Sequence, residues 1–157
     1  MDLSAFRKIV HEAVRQAGGR VVDIIEPGVT PNFLAARIEI GPAPCYVLCS
    51  HANDWAFAEA IEPPLAPLRF IDCPAIADAL QSLFGLTPFT RAELSKSFDQ
   101  TSPPPQAGEG PGERGSSRVG QTGVPDVRFP PQRAFSEHDL RYWKPRTLGD
   151  ALFNWWD

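Results

Sequence analysis

The stretch "FLAARIEIGPAPCYVLCS" (Phe33 to Ser50) decides how this chain folds. Its two halves, Phe33 to Ile40 and Cys45 to Ser50, are rich in aliphatic, aromatic and β-branched residues. They are separated only by Gly41-Pro42-Ala43-Pro44, a connection made of turn chemistry. Two strand-length runs joined this closely predict an antiparallel pair, because a parallel pair needs a crossover of a dozen residues or more. Working outward, "RVVDIIE" (Arg20 to Glu26) is a third run, closed by Pro27-Gly28, and "LRFID" (Leu68 to Asp72) is a fourth. The simplest arrangement is a meander.

Helical periodicity brackets these strands. Phe6, Ile9, Val10, Ala13, Val14 and Ala17 recur at three- and four-residue spacing, and Gly18-Gly19 stop the helix they imply. "CPAIADALQSLFG" reads as a second helix. Pro74 suits its first turn, Asp72 or Cys73 its cap and Gly85 its end; Ile76, Ala79, Leu80, Leu83 and Phe84 form its buried stripe. A short third helix is expected at Thr90 to Phe98, where Thr90 and Glu93 have capping-box spacing.

Composition changes abruptly after residue 99. Residues 100–133 contain 7 Pro and 6 Gly but only 5 apolar residues. So few apolar side chains cannot offset a backbone ordering cost of roughly 1–2 kcal/mol per residue, so this segment is expected to be disordered. Within it, "SPPPQAGEGPGERG" resembles the translated form of GC-rich repetitive palindromic elements found in bacterial genomes, which implies an insertion into a surface loop. Aromatic sequence then returns in "YWKPRTLGDALFNWWD" (Tyr142 to Asp157). An edge strand is expected at His138 to Trp143. Thr147 suits a helix cap, and Leu148, Ala151, Leu152, Trp155 and Trp156 fall on one helical stripe. Residues 1–99 thus read as an α+β core, 100–133 as an insert, and 134–157 as a strand and helix completing the same domain. The fold class expected is α+β, a small mainly antiparallel sheet with flanking helices and a docked C-terminal helix.

Charge and composition narrow the function. Of 157 residues, 43% are hydrophobic and 22% charged, as in an ordinary globular domain. Residues 1–99 carry 12 acids and 8 bases, and residues 100–157 carry 7 of each, for a net charge of −4. Without a basic surplus, nucleic acid is a poor partner, whereas a cationic protein suits the balance. No apolar run approaches the roughly 18 residues that span a bilayer, so no membrane association is expected. The amphipathic N-terminus is unlike a secretion signal, and three cysteines is an odd count, so reduced thiols and a cytoplasmic location are expected.

Chemistry is hardest to place. Cys45 and Cys49 would lie about 13 Å apart on one strand face at ~3.3 Å per residue, too far for shared zinc ligation with Zn–S bonds of about 2.3 Å. No metal or other cofactor is expected. A nucleophilic site would set Cys49 or Cys73 beside His51, with Asp54 or Asp72 orienting the imidazole; a helix N-terminus would favour the Cys73 thiolate. The aromatics Trp55, Trp143, Phe153 and Trp156 are the candidate contacts for a protein partner, since Trp and other aromatics dominate interface anchors.

The chain's end also carries a resemblance. Tyr142, Trp143, Pro145, Gly149, Phe153, Asn154, Trp156 and Asp157 match a Y-W-x-P-x-x-x-G-x-x-x-F-N-x-W-D pattern. It is similar to the tails of small bacterial proteins, some of which look like immunity partners of polymorphic toxins. The resemblance implies a small protein that occludes a partner protein, with no catalytic residues. The expectation is therefore a cytoplasmic protein-binding module, immunity- or antitoxin-like; the alternative is a Cys-dependent enzyme using Cys49 or Cys73 with His51.

Overall fold

In the computed structural model, residues 1–25, 32–41, 43–61, 67–97, 142 and 144–154 are described. Five strands form one antiparallel meander in chain order: β1 (Arg20–Ile25), β2 (Phe33–Ile40), β3 (Ala43–Ser50), β4 (Trp55–Ala58) and β5 (Phe70–Ile71). The opening stretch pairs as its composition requires, from Phe33 opposite Ser50 to Ile40 opposite Ala43. Gly41 turns the chain at φ 68°, a left-handed conformation that costs glycine nothing. One row, Ile24, Ala36, Val47, Phe57 and Ile71, crosses all five strands.

Helix α1 (Leu3–Gln16) is capped by the Asp2 carboxylate, which accepts from the Ala5 N–H at 2.8 Å. It buries Phe6, Val10, Ala13 and Val14. Helix α2 (Pro74–Phe84) starts at Cys73 and ends at Gly85 in the left-handed conformation. Both cover one sheet face, where Leu34, Ala36, Ile38, Cys45, Val47, Cys49, Trp55 and Phe57 project. Phe6 stacks on Trp55 with ring centroids 5.6 Å apart.

The opposite face carries Phe33, Ala35, Leu48, Ala56 and Ala58, and these are equally buried. Leu94 of the one-turn helix α3 (Arg91–Leu94) and Leu152 and Phe153 of the C-terminal segment cover them. Helix α4 (Leu148–Leu152) begins with a capping box between Thr147 and Asp150. Ser97 bridges to Thr147, and the Leu148 N–H donates to the Lys96 carbonyl at 3.0 Å. A final clamp joins residues far apart in sequence. The Asn32 N–H donates to the Asn154 carbonyl at 3.1 Å, and the Asn154 N–H donates to Asn32 Oδ1 at 2.9 Å.

The α+β class, the antiparallel sheet and the docked C-terminal helix are thus present, with four differences from the sequence reading. A fifth strand, β4, runs through "WAFA", whose four residues are all buried because both faces are covered; the missing polar alternation hid it. Helix α3 stops at Leu94 instead of Phe98, since Ser97 is drawn into its bridge with Thr147. Helix α4 stops at Leu152, with Phe153 extended (φ −125°), because the next residue is tied to Asn32 instead of continuing the helix. Leu83 and Phe84, expected in the buried stripe of α2, are exposed. The expected insert 100–133, the strand at His138 to Trp143 apart from Tyr142, and Trp155 and Trp156 lie outside the described residues.

Gly149 has no room for a side chain, because a Cβ there would overlap the Phe70 ring, itself packed on Phe153. Replacing Gly149 with Ala is therefore expected to cost about 1–3 kcal/mol by overpacking. Phe153→Ala should cost about 3–5 kcal/mol by opening a cavity. Both are checked by urea unfolding, and an unchanged midpoint in the two variants would show that the C-terminal segment is not packed on the sheet.

Candidate functional site

Two of the aromatics proposed for a partner surface are core residues. Trp55 is 2% exposed and Phe153 is 3% exposed. Trp55 packs on Phe6, and Phe153 on Phe33 and Phe70. That is a correction to the sequence reading, and its cause is the double-faced sheet, which needs large side chains on both sides. Trp143 and Trp156 lie outside the described residues. Of the C-terminal pattern's described residues, Pro145, Gly149, Phe153 and Asn154 are buried, and Tyr142 is exposed.

The three cysteines are free and occupy two environments. Cys49, fully buried on β3, lies within 3.5 Å of the Ser50 carbonyl, 3.8 Å of Asn53 Oδ1 and 3.9 Å of the Met1 sulfur. Burial pushes its thiol up to about 12, the N-terminal ammonium opposes this, and Asp54 adds to the rise. Such a thiol stays protonated at neutral pH. His51 is exposed on the turn after β3, and its backbone N–H donates to the Asn32 carbonyl. Asp54 is engaged by Ser50, whose hydroxyl donates to Oδ2 at 2.8 Å. Among the described residues, neither Cys49 nor Cys73 has His51 as its hydrogen-bond partner.

Cys45 and Cys73 form the second environment. Cys45, 4% exposed, lies on the β3 face under the helices, and Cys73, half-buried, begins α2 and packs against the same cluster. A hydrogen bond from Cys45 holds the Cys73 thiol below its ordinary value against the opposing effect of burial, and the Ile76 N–H assists. The same contact, together with burial, raises Cys45. Twenty-eight positions separate the two in the chain. Asp72, the other capping candidate, instead accepts from the Arg91 N–H at 2.8 Å and ties α3 to the end of β5.

Two surface features complete the picture. An open groove of about 360 Å³ lies between α1 and the outer edge of β1, lined by Arg7, His11 and residues Val21 to Ile24. At the other end of the helical layer, residues 81–85 are all exposed, including Leu83 at 39% and Phe84 at 36%. Leu80 is the last buried residue of α2, and the chain packs against the core again at Leu86. The sequence held a signal for this, since Leu83 and Phe84 stand one turn beyond Leu80 and directly before the terminating Gly85.

Among the described residues, no three His, Cys, Asp or Glu side chains are grouped to hold a metal ion, and no helix is long and apolar enough to cross a membrane. Comparison of the chain with protein families, with curated proteins and with solved structures gives no match.

The Cys49 environment predicts a pH dependence. Its thiol holds its proton to higher pH in the folded state than in the unfolded one, from about 9 raised to about 12. Its stabilisation is therefore complete below pH 9 and is lost as pH rises through the folded value. A Cys49→Ala variant, lower in melting temperature overall, should lose less between about pH 9 and 11 than the unaltered chain. Parallel pH profiles would contradict a buried, protonated Cys49.

Proposed function

We propose that this chain works by binding another protein, and that its contact surface centres on the exposed last turn of α2. The observation that carries this reading is the adjacency of Leu83 and Phe84, two large apolar side chains left in solvent at the end of a helix otherwise packed into the core. Scattered apolar residues on a surface are ordinary. Here, though, the pair stands side by side in one exposed helical turn, and an apolar centre in a polar rim is how transient interfaces are built. Gln81 and Ser82 supply polar neighbours within the same exposed turn.

The finer reading is an immunity- or antitoxin-like protein that occludes a toxin. It draws on the Tyr142 to Asp157 pattern and on the net charge of −4, which suits a cationic partner. The pattern's buried residues build the fold that presents α2. The contact itself falls to other positions.

Capture from lysate of the native host, run in parallel for the unaltered chain and for Leu83→Ser with Phe84→Ser, tests both levels. The expected result is one near-stoichiometric protein that the unaltered chain retains and the double variant loses at least tenfold. Both substitutions are at exposed positions, so melting temperature should be nearly unchanged. Equal capture by the two chains would move the interface elsewhere, and no specific capture would overturn the binding reading. For the finer reading, the captured protein should be toxic when expressed alone and harmless when this chain is co-expressed.

A further inference from the structure

Strand β1 stands at one end of the sheet. Among the described residues its only strand neighbour is β2, so the backbone groups along its other side meet no strand. Such an edge is a template for a further strand, and folds commonly blunt it with charges or a bulge. This edge carries both, in an order that fits a second copy of itself. Arg20 and Asp23 are three positions apart, which in a regular strand puts two side chains on opposite faces. The register shift between Val21 and Asp23 removes that offset. Arg20 pairs with Glu39 and Asp23 with Arg37, and these two partners are alternate residues of β2. Both charges therefore lie on one face, and both are exposed, as is Val22 between them at 42%. Val21 and Val22 line the groove of about 360 Å³ between α1 and the outer edge of β1.

We propose that β1 is a self-association edge, to which a second copy of this chain adds its own β1, antiparallel, across a two-fold axis. Charge sets the register. Arg20 stands opposite the partner's Asp23 and Val21 opposite the partner's Val22, and the axis repeats both pairs. Arg-Val-Val-Asp read one way meets its own complement read the other way, which is the condition for an isologous interface. A slip of one residue in either direction leaves Arg20 opposite the partner's Val22 or the partner's Ile24, with no carboxylate to meet. Arg20 already donates to Glu39 at 2.7 Å, and its five N–H donors suffice for a second carboxylate. On the other face the partner's Val22 enters the groove, which takes one exposed apolar side chain out of water in each copy. The contact is a single short strand pair, smaller than a permanent dimer interface, so association depends on concentration. Its ion pairs are at the surface, so added salt weakens it. The proposal does not depend on the α2 surface.

The test is sedimentation velocity of the full chain over a concentration series, alongside Arg20→Glu, Asp23→Arg and an equimolar mixture of the two. The unaltered chain should pass from monomer to dimer as concentration rises. Each variant alone sets like charges opposite each other twice and should need at least tenfold more protein to associate. In the mixture the altered residue of each chain meets its opposite charge on the other, and the dimer should return. A chain that stays monomeric throughout the series would overturn the proposal. So would a dimer indifferent to the charge reversals, one that the mixture does not restore, or one lost in Leu83→Ser with Phe84→Ser. Should Arg20→Glu fail to fold for want of its bond to Glu39, Val22→Lys takes its place. That variant should be monomeric, and a dimer as tight as that of the unaltered chain would overturn the proposal.

Discussion

Phe33, Ala35, Leu48, Ala56 and Ala58 project from the side of the sheet that α1 and α2 leave uncovered, and the rest of the architecture depends on burying them. Neither the meander nor the two N-terminal helices can do so. The one-turn α3 supplies Leu94, and chain from beyond residue 141 supplies Leu152 and Phe153. Packing alone would leave that last segment held by a few side chains. The exchange between Asn32 and Asn154 fixes it in direction as well, because the backbone of each residue bonds to the other. The Asn32 side-chain amide adds a further bond to the Leu152 carbonyl at 3.3 Å, and the Asn154 amide donates to Ala151. Buried hydrogen bonds of this kind contribute modestly when made, about 0.5–1.5 kcal/mol each, and cost more when one partner is removed. They tie the C-terminal segment to the start of β2.

The same constraint explains the C-terminal pattern. Its glycine is required where the Phe70 ring leaves no space for Cβ, its phenylalanine fills the gap between Phe33 and Phe70, and its asparagine makes the clamp. The pattern's Gly149, Phe153 and Asn154 therefore serve to close the sheet. Among the described residues, the large apolar side chains left in solvent are Leu83 and Phe84 on α2, Val22 on β1, and Tyr142.

Much of this was legible in the sequence, and the failures share a cause. Periodicity placed α1, and capping chemistry placed the starts of α3 and α4 and the end of α2, because these features depend on residues within one turn of each other. The strand pairing of Phe33 to Ser50 followed from its short turn. What could not be read depended on partners distant in the chain. "WAFA" carried no alternation because its second face is buried by residues near 152. Phe153 looked surplus to a helical stripe that in fact ends before it. Leu83 and Phe84 fit the α2 stripe by spacing, yet the stripe is buried only as far as Leu80.

If the second face is closed by the returning chain, removing that chain should undo the domain. The most direct measurement is thermal unfolding of a chain truncated after Arg141, compared with one that keeps its C-terminus but lacks residues 102–131. Closure by the returning chain predicts a cooperative transition close to that of the full chain for the internal deletion, and loss of the cooperative transition for the truncation. A truncated chain that melts like the intact one would contradict it, showing that the sheet and its first two helices are stable with one face bare.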